Sequence, residues 1–224
     1  MRKFLRCLVL ALAIFPFFSC ADSDPDIVTI SGTMVFDYAD EESFPAGRLA
    51  IFVQTASEVQ RVESIVATHK QTGYTWRVSS PVVFKSGDKQ WTCYTNLQSP
   101  EQTHIPNGQY ECTYIDAAGE EVTATFVVNY AEKLFETKSA DIKNVLTSST
   151  DSLALYDKNG VLLFFGKKKS NWRVNANILR DYSHAVMLRH CLSSANNRAV
   201  CLLPPESLFE SQNAEKTNSG EDDE

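Results

Sequence analysis

The sequence has few long hydrophobic runs and little positive charge, and both shortages exclude functions. Beyond residue 20, no uninterrupted apolar stretch is longer than that of residues 161–165, whereas a helix that crosses a bilayer needs about 20 apolar residues. The formal net charge is −7, and three of the basic residues lie within the first six positions. A chain this acidic is a poor match for a phosphate backbone, so nucleic acid is not an expected partner.

The sequence also lacks the short motifs that mark the common enzyme sites. It contains no G-x-S-x-G, no H-E-x-x-H, no P-loop and no G-x-G-x-x-G. We interpret His69 as a partly exposed strand residue, His104 as an exposed loop residue, and the acidic residues within 37–42 as a solvated turn without calcium-loop spacing. Residues 167–169 are three lysines in a predicted solvated turn, with contact to lipid phosphates as the alternative. We therefore predict no catalytic residue, no metal site and no cofactor, and a protein that is not an enzyme.

The sequence does contain enough apolar surface for a packed core. The 224 residues are 43% hydrophobic, which excludes a chain that is disordered throughout. This length allows one large domain or two small ones.

The N-terminal residues have the features of an export signal. A basic start precedes an apolar run at residues 7–18, which would rise about 18 Å as a helix and is too short to span a bilayer. The segment Phe17-Phe18-Ser19-Cys20 resembles the lipobox of bacterial lipoproteins, with Phe17 in the place of the usual Leu, a relaxed form that spirochaete lipoproteins tolerate. The resemblance implies a signal peptide at residues 1–19 and acylation of Cys20.

Acylation of Cys20 would make the lipid bilayer a partner of this protein. Residues 20–25 would then be a short lipidated tether, since several acyl chains on one residue hold a protein to a membrane. The expected location is the cell membrane or the outer membrane, facing the periplasm or the cell surface. The alternative is an ordinary secretory signal cut elsewhere, with Cys20 incidental, although no Ala-x-Ala site follows Phe18.

Residues 26–130 have the pattern of a β-sandwich. Short runs with alternating apolar residues are separated by Gly, Pro, Asn and Asp, and no run has the helical period. Seven or eight strands in about 105 residues favour two packed sheets. The segment Asn107-Gly-Gln-Tyr110-Glu-Cys112 resembles strand F of immunoglobulin-like domains, where a Tyr stands two residues before a Cys. The resemblance implies that the Tyr110 hydroxyl bonds to upstream backbone and that Cys112 points into the core.

Four cysteines remain after the leader and Cys20, an even number that suggests two disulfides in an exported protein. Alternation places Cys93 in phase with Leu97, and Cys112 in phase with its own core-facing neighbours, so we predict a Cys93–Cys112 bridge between the sheets. A loop centred on Asn196 predicts a Cys191–Cys201 bridge. The alternative is that these cysteines are free buried thiols, which act as small apolar side chains.

Residues 131–147 are polar and are predicted to be a linker with a helical turn. Residues 148–205 follow the pattern ββαββ, with an Asn-Gly hairpin signal at 159–160 and a helix predicted over 171–182 with Ser170 as its cap. This small α+β region is expected to pack on the first region, since it would be marginal alone. Residues 206–224 are predicted to be an acidic disordered tail.

These features predict a mainly β protein: an immunoglobulin-like β-sandwich followed by a small α+β region, anchored by lipid in the cell envelope. We expect a non-catalytic binding or structural role, in which loops or an uncovered sheet edge contact another envelope or host protein. The alternatives are an envelope hydrolase with a site between the two regions and a small-ligand carrier. The first would need a pocket where His or carboxylates meet a nucleophile, and the second an apolar cavity.

Overall fold

The structure, a computed structural model, describes residues 26–56, 61–99, 104–196 and 198–209. The predictions for the signal peptide, for Cys20 and for the tether lie outside the described residues, as does the prediction for residues 210–224. The described part is mainly β, with its strands in two sheets and few helical residues. This confirms the predicted fold class.

The elements follow one another with short connections. The strands are β1 (Ile27–Asp37), β2 (Ala46–Thr55), β3 (Val62–His69), β4 (Thr75–Val78), β5 (Val82–Ser86), β6 (Lys89–Leu97), β7 (Gly108–Asp116), β8 (Glu121–Val128), β9 (Ser149–Asp157), β10 (Leu162–Gly166), β11 (Ala185–Ser194), β12 (Ala199–Leu202) and β13 (Glu206–Ser207). Two 3₁₀ turns (Glu132–Glu136 and Ser139–Asp141) and helix α1 (Ile142–Val145) lie between β8 and β9, and helix α2 (Asn175–Asp181) lies between β10 and β11.

The first eight strands form the two layers of a sandwich. One layer has the order β1-β2-β6-β5 and the other has the order β4-β3-β7-β8, with antiparallel neighbours in both. When β1 to β8 are lettered in chain order as A, B, C, C′, D, E, F and G, the first layer is A-B-E-D and the second is C′-C-F-G. Immunoglobulin-like sandwiches have this arrangement, with strands A, B, E and D in one sheet and strands C, F and G in the other. The apolar sides of both layers meet in one core.

Strand β7 makes the local contact that its sequence resemblance implies. The Tyr110 hydroxyl donates a hydrogen bond to the carbonyl oxygen of Pro106, four residues upstream, at 2.7 Å. Tyr110 and Cys112 are both fully buried in the core. Burial therefore raises the pKa of the Tyr110 hydroxyl, which stays protonated and remains a donor.

The second region continues the larger sheet of the sandwich. Strand β12 pairs in parallel with β1, from Met34 opposite Ala199 to Asp37 opposite Leu202. The larger sheet thus runs β10-β9-β11-β12-β1-β2-β6-β5, with β13 paired to β11. Helix α2 and Trp172 cover the added strands and form a second apolar cluster with Leu155 and Leu188. The expected ββαββ order is present, and the two regions share one sheet.

Three local predictions are corrected by packing. Helix α2 begins at Asn175 and not at 171, and no side-chain bond caps it, so Ser170 is not its cap. Residues 131–147 are not a bare linker, because Leu134 and Ile142 are fully buried in the sandwich core. The predicted tail begins as strand β13, and Leu208 after it is fully buried in the second cluster. In the second and third cases tertiary burial outweighs a polar local sequence.

A β-bulge in β6 changes which side chains of this strand face the core. Leu49 pairs with Leu97 and Ile51 pairs with Tyr94, so a step of two residues in β2 matches a step of three in β6. Tyr94 therefore packs against the core, while Cys93, opposite Phe52, lies on the other face of the sheet. The prediction that Cys93 points into the core was wrong, since a one-residue shift exchanges the two faces of a strand.

All four described cysteines are free buried thiols, so the structure corrects both disulfide predictions. Cys93–Cys112 is not formed because Cys112 lies in the core and Cys93 faces away from it. Cys191–Cys201 is not formed because Cys191 pairs with Leu202 and Cys201 with Leu192, an offset that puts the two thiols on opposite faces. Burial raises the pKa of Cys191 to about 11 and those of Cys112 and Cys201 to about 12.

Candidate functional site

The histidines occupy separate places in the fold. His69 is 1% exposed, which corrects the prediction of a partly exposed residue. Its Nδ1 lies 2.8 Å from the Thr72 hydroxyl, and its ring packs 4.8 Å from that of Tyr110. His104 is exposed as predicted and stacks on Phe135, with ring centroids 3.7 Å apart. The Thr72 hydroxyl is the one group of nucleophile type in these contacts, and it belongs to the turn between β3 and β4, where it also accepts a hydrogen bond from the Tyr74 amide at 3.4 Å.

The acidic turn is organised by its own backbone. The Asp40 carboxylate accepts hydrogen bonds from the amides of Glu42, at 2.9 Å, and Ser43, at 2.7 Å, and these bonds lower its pKa. Glu42 pairs with Lys138. Within the ranges that the structure describes, no three His, Cys, Asp or Glu side chains gather closely enough to hold a metal ion. Asp40, Glu41 and Glu42 are exposed, as the predicted solvated turn requires, whereas Asp37 lies in β1.

Asp37 takes part in a different contact, a link between the two regions. Its Oδ1 accepts from Arg189 Nη2 at 2.8 Å, and its Oδ2 lies 3.4 Å from Arg48 Nη2. Arg189 also donates to the carbonyl oxygens of Leu203 at 2.7 Å and Tyr38 at 3.0 Å. The charges and hydrogen-bonding groups of Asp37, Arg48 and Arg189 pair with one another and with backbone carbonyl oxygens, so we interpret this cluster as structural. Sequence reasoning missed Arg189 because the pair is 152 residues apart.

Two surface pockets are lined by described residues. One, of about 480 Å³, is lined by residues of β4 and β6 with the turn after β4, including Trp76, Arg77 and Tyr94. The other, of about 440 Å³, lies between Tyr130, Leu146 and the β11–β12 turn. Neither lining includes a histidine, a cysteine or a carboxylate. Neither pocket therefore combines a nucleophile with a base.

The edge strands of the two sheets differ in charge. Of the described strands, β4, β5, β8 and β10 end the two sheets. Arg77 in β4, Lys85 in β5 and Glu121 in β8 place a charge on each of the first three, which discourages pairing with another chain. Strand β10 has the sequence Leu-Leu-Phe-Phe-Gly and no charge. It is the edge least protected against addition of a strand.

Exposed apolar side chains surround this edge. Val161, Leu162 and Phe165 are 56%, 51% and 57% exposed. Leu162 and Phe165 oppose Tyr156 and Ala154 of β9, so both lie on the face of the sheet that α2 does not cover. We name Val161, Leu162 and Phe165, with the backbone edge of β10 that pairs with no described strand, the β10 edge.

The three lysines that follow β10 are not equivalent. Lys167 and Lys168 are exposed, but the Lys169 ammonium lies over three aromatic rings. It also pairs with Asp181 at 3.3 Å. Lys169 is exposed, as the prediction of a solvated turn requires, but its ammonium also has partners that the prediction did not include. The predicted helix over 171–182 relates Trp172 to Tyr182, whereas no sequence signal brings Phe164 of β10 to them.

No helix in the described ranges combines the length and the apolar composition needed to cross a bilayer. No protein-family model matches this chain, and no curated protein matches it significantly.

Proposed function

We propose that this chain is a lipid-anchored protein of the cell envelope that binds another protein through the β10 edge, without catalysis. The observation that carries the proposal is the uncharged, exposed edge strand with three large apolar side chains beside it. Singly scattered surface apolar residues are ordinary, whereas a contiguous group at an open edge is typical of interaction sites.

The chemistry of such a site is strand addition. An extended segment of the partner would form main-chain hydrogen bonds with the unpaired N–H and C=O groups of β10, and these bonds would supply affinity. Leu162 and Phe165 would contact alternate side chains of the added strand and supply specificity. Lys167 and Lys168, both exposed, follow directly and favour a partner segment that is acidic at the adjoining end.

The anchor is a separate part of the proposal. Acylation of Cys20 would hold the chain at a membrane, because several acyl chains together give stable attachment. Strand β1 begins at Ile27, so the six residues 21–26 would separate the lipidated Cys20 from the sandwich. Cys20→Ala is expected to abolish labelling by radioactive palmitate and to release the protein from membranes. Unchanged membrane retention would contradict the anchor and leave the β10 edge to be judged separately.

The binding surface is tested by photo-crosslinking in intact envelopes. The full chain carries the photoreactive amino acid benzoylphenylalanine at position 165, and irradiation is expected to give a covalent adduct with a second, different protein. Leu162→Lys should reduce the yield of this adduct at least tenfold, because a charge on the edge opposes pairing. Val82→Lys is the matched control, since Val82 is 59% exposed on the other edge strand of the same sheet.

Three results would contradict the binding surface. The first is the absence of any adduct from position 165 when a folded, membrane-attached protein is irradiated. The second is an equal loss of the adduct in Leu162→Lys and Val82→Lys. An adduct that contains only two copies of this chain would also contradict it, since the partner would then be the chain itself.

A further inference from the structure

We propose that Phe164, Trp172, Tyr182 and Asp181 form a binding site for a quaternary ammonium group, and that Lys169 occupies this site when no ligand is bound. We name these four residues the cation cage. Nothing in the proposed strand addition requires it, so the two proposals stand independently.

The three rings form walls at steep angles to one another. The centroids of Phe164 and Trp172 are 4.9 Å apart with the planes at 72°, and those of Trp172 and Tyr182 are 5.7 Å apart at 84°. Phe164 and Tyr182 are 5.7 Å apart at 53°. Three ring faces that converge on one point give a region of negative potential suited to a cation.

The position of the Lys169 nitrogen marks the centre of this region. It lies 4.7 Å from the Trp172 centroid, 5.2 Å from that of Tyr182 and 5.9 Å from that of Phe164. A methyl carbon is about 1.5 Å from the nitrogen that carries it, and carbon contacts an aromatic ring at about 3.5–4.0 Å. A methylated nitrogen therefore belongs about 5 Å from a ring. The separations from Trp172 and Tyr182 match this distance, and Phe164 lies farther away, at 5.9 Å.

The carboxylate of Asp181 completes the cage. Its Oδ2 lies 3.3 Å from Lys169 Nζ and accepts a hydrogen bond from Trp172 Nε1 at 2.8 Å. The indole bond fixes both the carboxylate and the ring. Its hydrogen bonds lower the pKa of Asp181, that from Trp172 first, so a negative charge faces the centre of the cage at neutral pH.

The walls of the cage are held more firmly than its occupant. Trp172 is 1% exposed and belongs to the second apolar cluster, while Phe164 lies in β10 and Tyr182 directly follows α2. The Lys169 side chain, by contrast, is 43% exposed and extends from a turn. A ligand can thus replace the lysine without disturbing the core.

The class of ligand follows from the competition between the Lys169 ammonium and a ligand cation for the cation cage. A primary ammonium is strongly hydrated and gives up water bonds when it enters an aromatic site. A quaternary ammonium has no N–H group, keeps its charge at every pH, and fills the space that the lysine leaves around its nitrogen. Such a group can come from a free choline-like ion or from the headgroup of a choline lipid, and both present the same trimethylammonium.

The test is a titration of the full chain with choline chloride at constant ionic strength, followed by the change in tryptophan fluorescence. Wild type is expected to bind saturably, and Lys169→Ala to bind at least tenfold more tightly, because the competing occupant is gone. Lys168→Ala is the matched control, since it removes the same charge from the exposed neighbouring position. Phe164→Leu, with its fold checked by circular dichroism, should weaken choline binding at least tenfold.

A second arm separates the two sources of the ligand. Full-length Cys20→Ala is mixed with vesicles of phosphatidylcholine or of phosphatidylethanolamine, and sedimentation with the first alone assigns the lipid headgroup. Choline binding without sedimentation assigns a free ion, and both results support the cage. The proposal is overturned if Lys169→Ala shows no saturable response to choline, if sodium chloride gives the same response, or if Lys168→Ala tightens binding as much as Lys169→Ala does.

Discussion

Replacement of Arg189 by methionine tests whether the two sequence regions form one cooperative unit. The side chain extends from β11, in the second region, to Asp37 and Tyr38 in and after β1. It is 13% exposed, so water reaches it poorly, and methionine keeps most of its length and apolar contact without the guanidinium. The change therefore removes the polar contacts and little packing.

The magnitude follows from the bonds that are lost. The bond to Asp37, at 2.8 Å, is charge-assisted and is worth about 1.5–3 kcal/mol. The carbonyl oxygens of Leu203, Tyr38 and Leu202 lose a donor at 2.7–3.0 Å, and partial access of water limits the further cost. We expect the free energy of unfolding to fall by about 2–4 kcal/mol, which in a protein of this size lowers Tm by about 5–12 °C.

Differential scanning calorimetry and guanidinium titration measure both quantities. Arg180→Met is the control, because Arg180 is 65% exposed and lies 3.8 Å from its partner, so its loss should change stability by less than about 0.5 kcal/mol. A double-mutant cycle with Asp37→Asn isolates the ion pair from the carbonyl bonds. The reasoning is refuted if Arg189→Met is no more destabilising than Arg180→Met, or if wild type unfolds in two separate transitions.

Four further results are expected. Tyr110→Phe should lower the free energy of unfolding by about 1 kcal/mol in urea titrations, because the hydrogen bond to Pro106 is lost; an unchanged midpoint would contradict this. Leu208→Ala should cost about 2–4 kcal/mol by the same measurement, since Leu208 is fully buried, and no loss would mean that it is not packed. The buried thiols should resist iodoacetamide in the native protein at pH 8 and react fully in guanidinium, as mass spectrometry would show; rapid native alkylation would contradict their burial and raised pKa values. The pKa of Asp181 is lowered by folding, first by the bond from Trp172, so its stabilising effect is present above about pH 4 and is lost as the pH falls through the folded-state pKa. Asp181→Asn should therefore reduce the loss of unfolding free energy when the pH falls below about 4. An unaltered dependence of the unfolding free energy on pH would contradict the contact between Asp181 and Trp172.

Much of the fold could be predicted from local signals. Alternation and turn residues placed the strands of the sandwich, and Tyr110 with Cys112 marked the strand whose hydroxyl bonds to upstream backbone. The Asn-Gly turn after Asp157 and the helix before β11 placed the ββαββ order. These features depend on residues that are near one another in sequence, so the local sequence specifies them independently of the rest of the molecule.

The candidate sites could not be predicted in the same way. The cation cage joins Phe164 to Tyr182 across a turn and a helix, and no spacing rule relates aromatic residues that meet through a bend in the chain. The β10 edge is likewise a property of the sheet: the run 161–165 reads as an ordinary buried strand until the strand order places it last. Only the order of strands decides which backbone groups stay unpaired.

The amino-acid order alone determined the strands, most of the turns and the polar or apolar character of each run, because period-two alternation is a local property of the chain. Tertiary structure decided which face each run buries, since one extra residue in β6 turned Cys93 outward and Tyr94 inward. It also decided that β12 joins β1 in parallel, a pairing between segments about 165 residues apart. Such a pairing depends on the fit of whole sheets, and that fit exists only after the chain has folded.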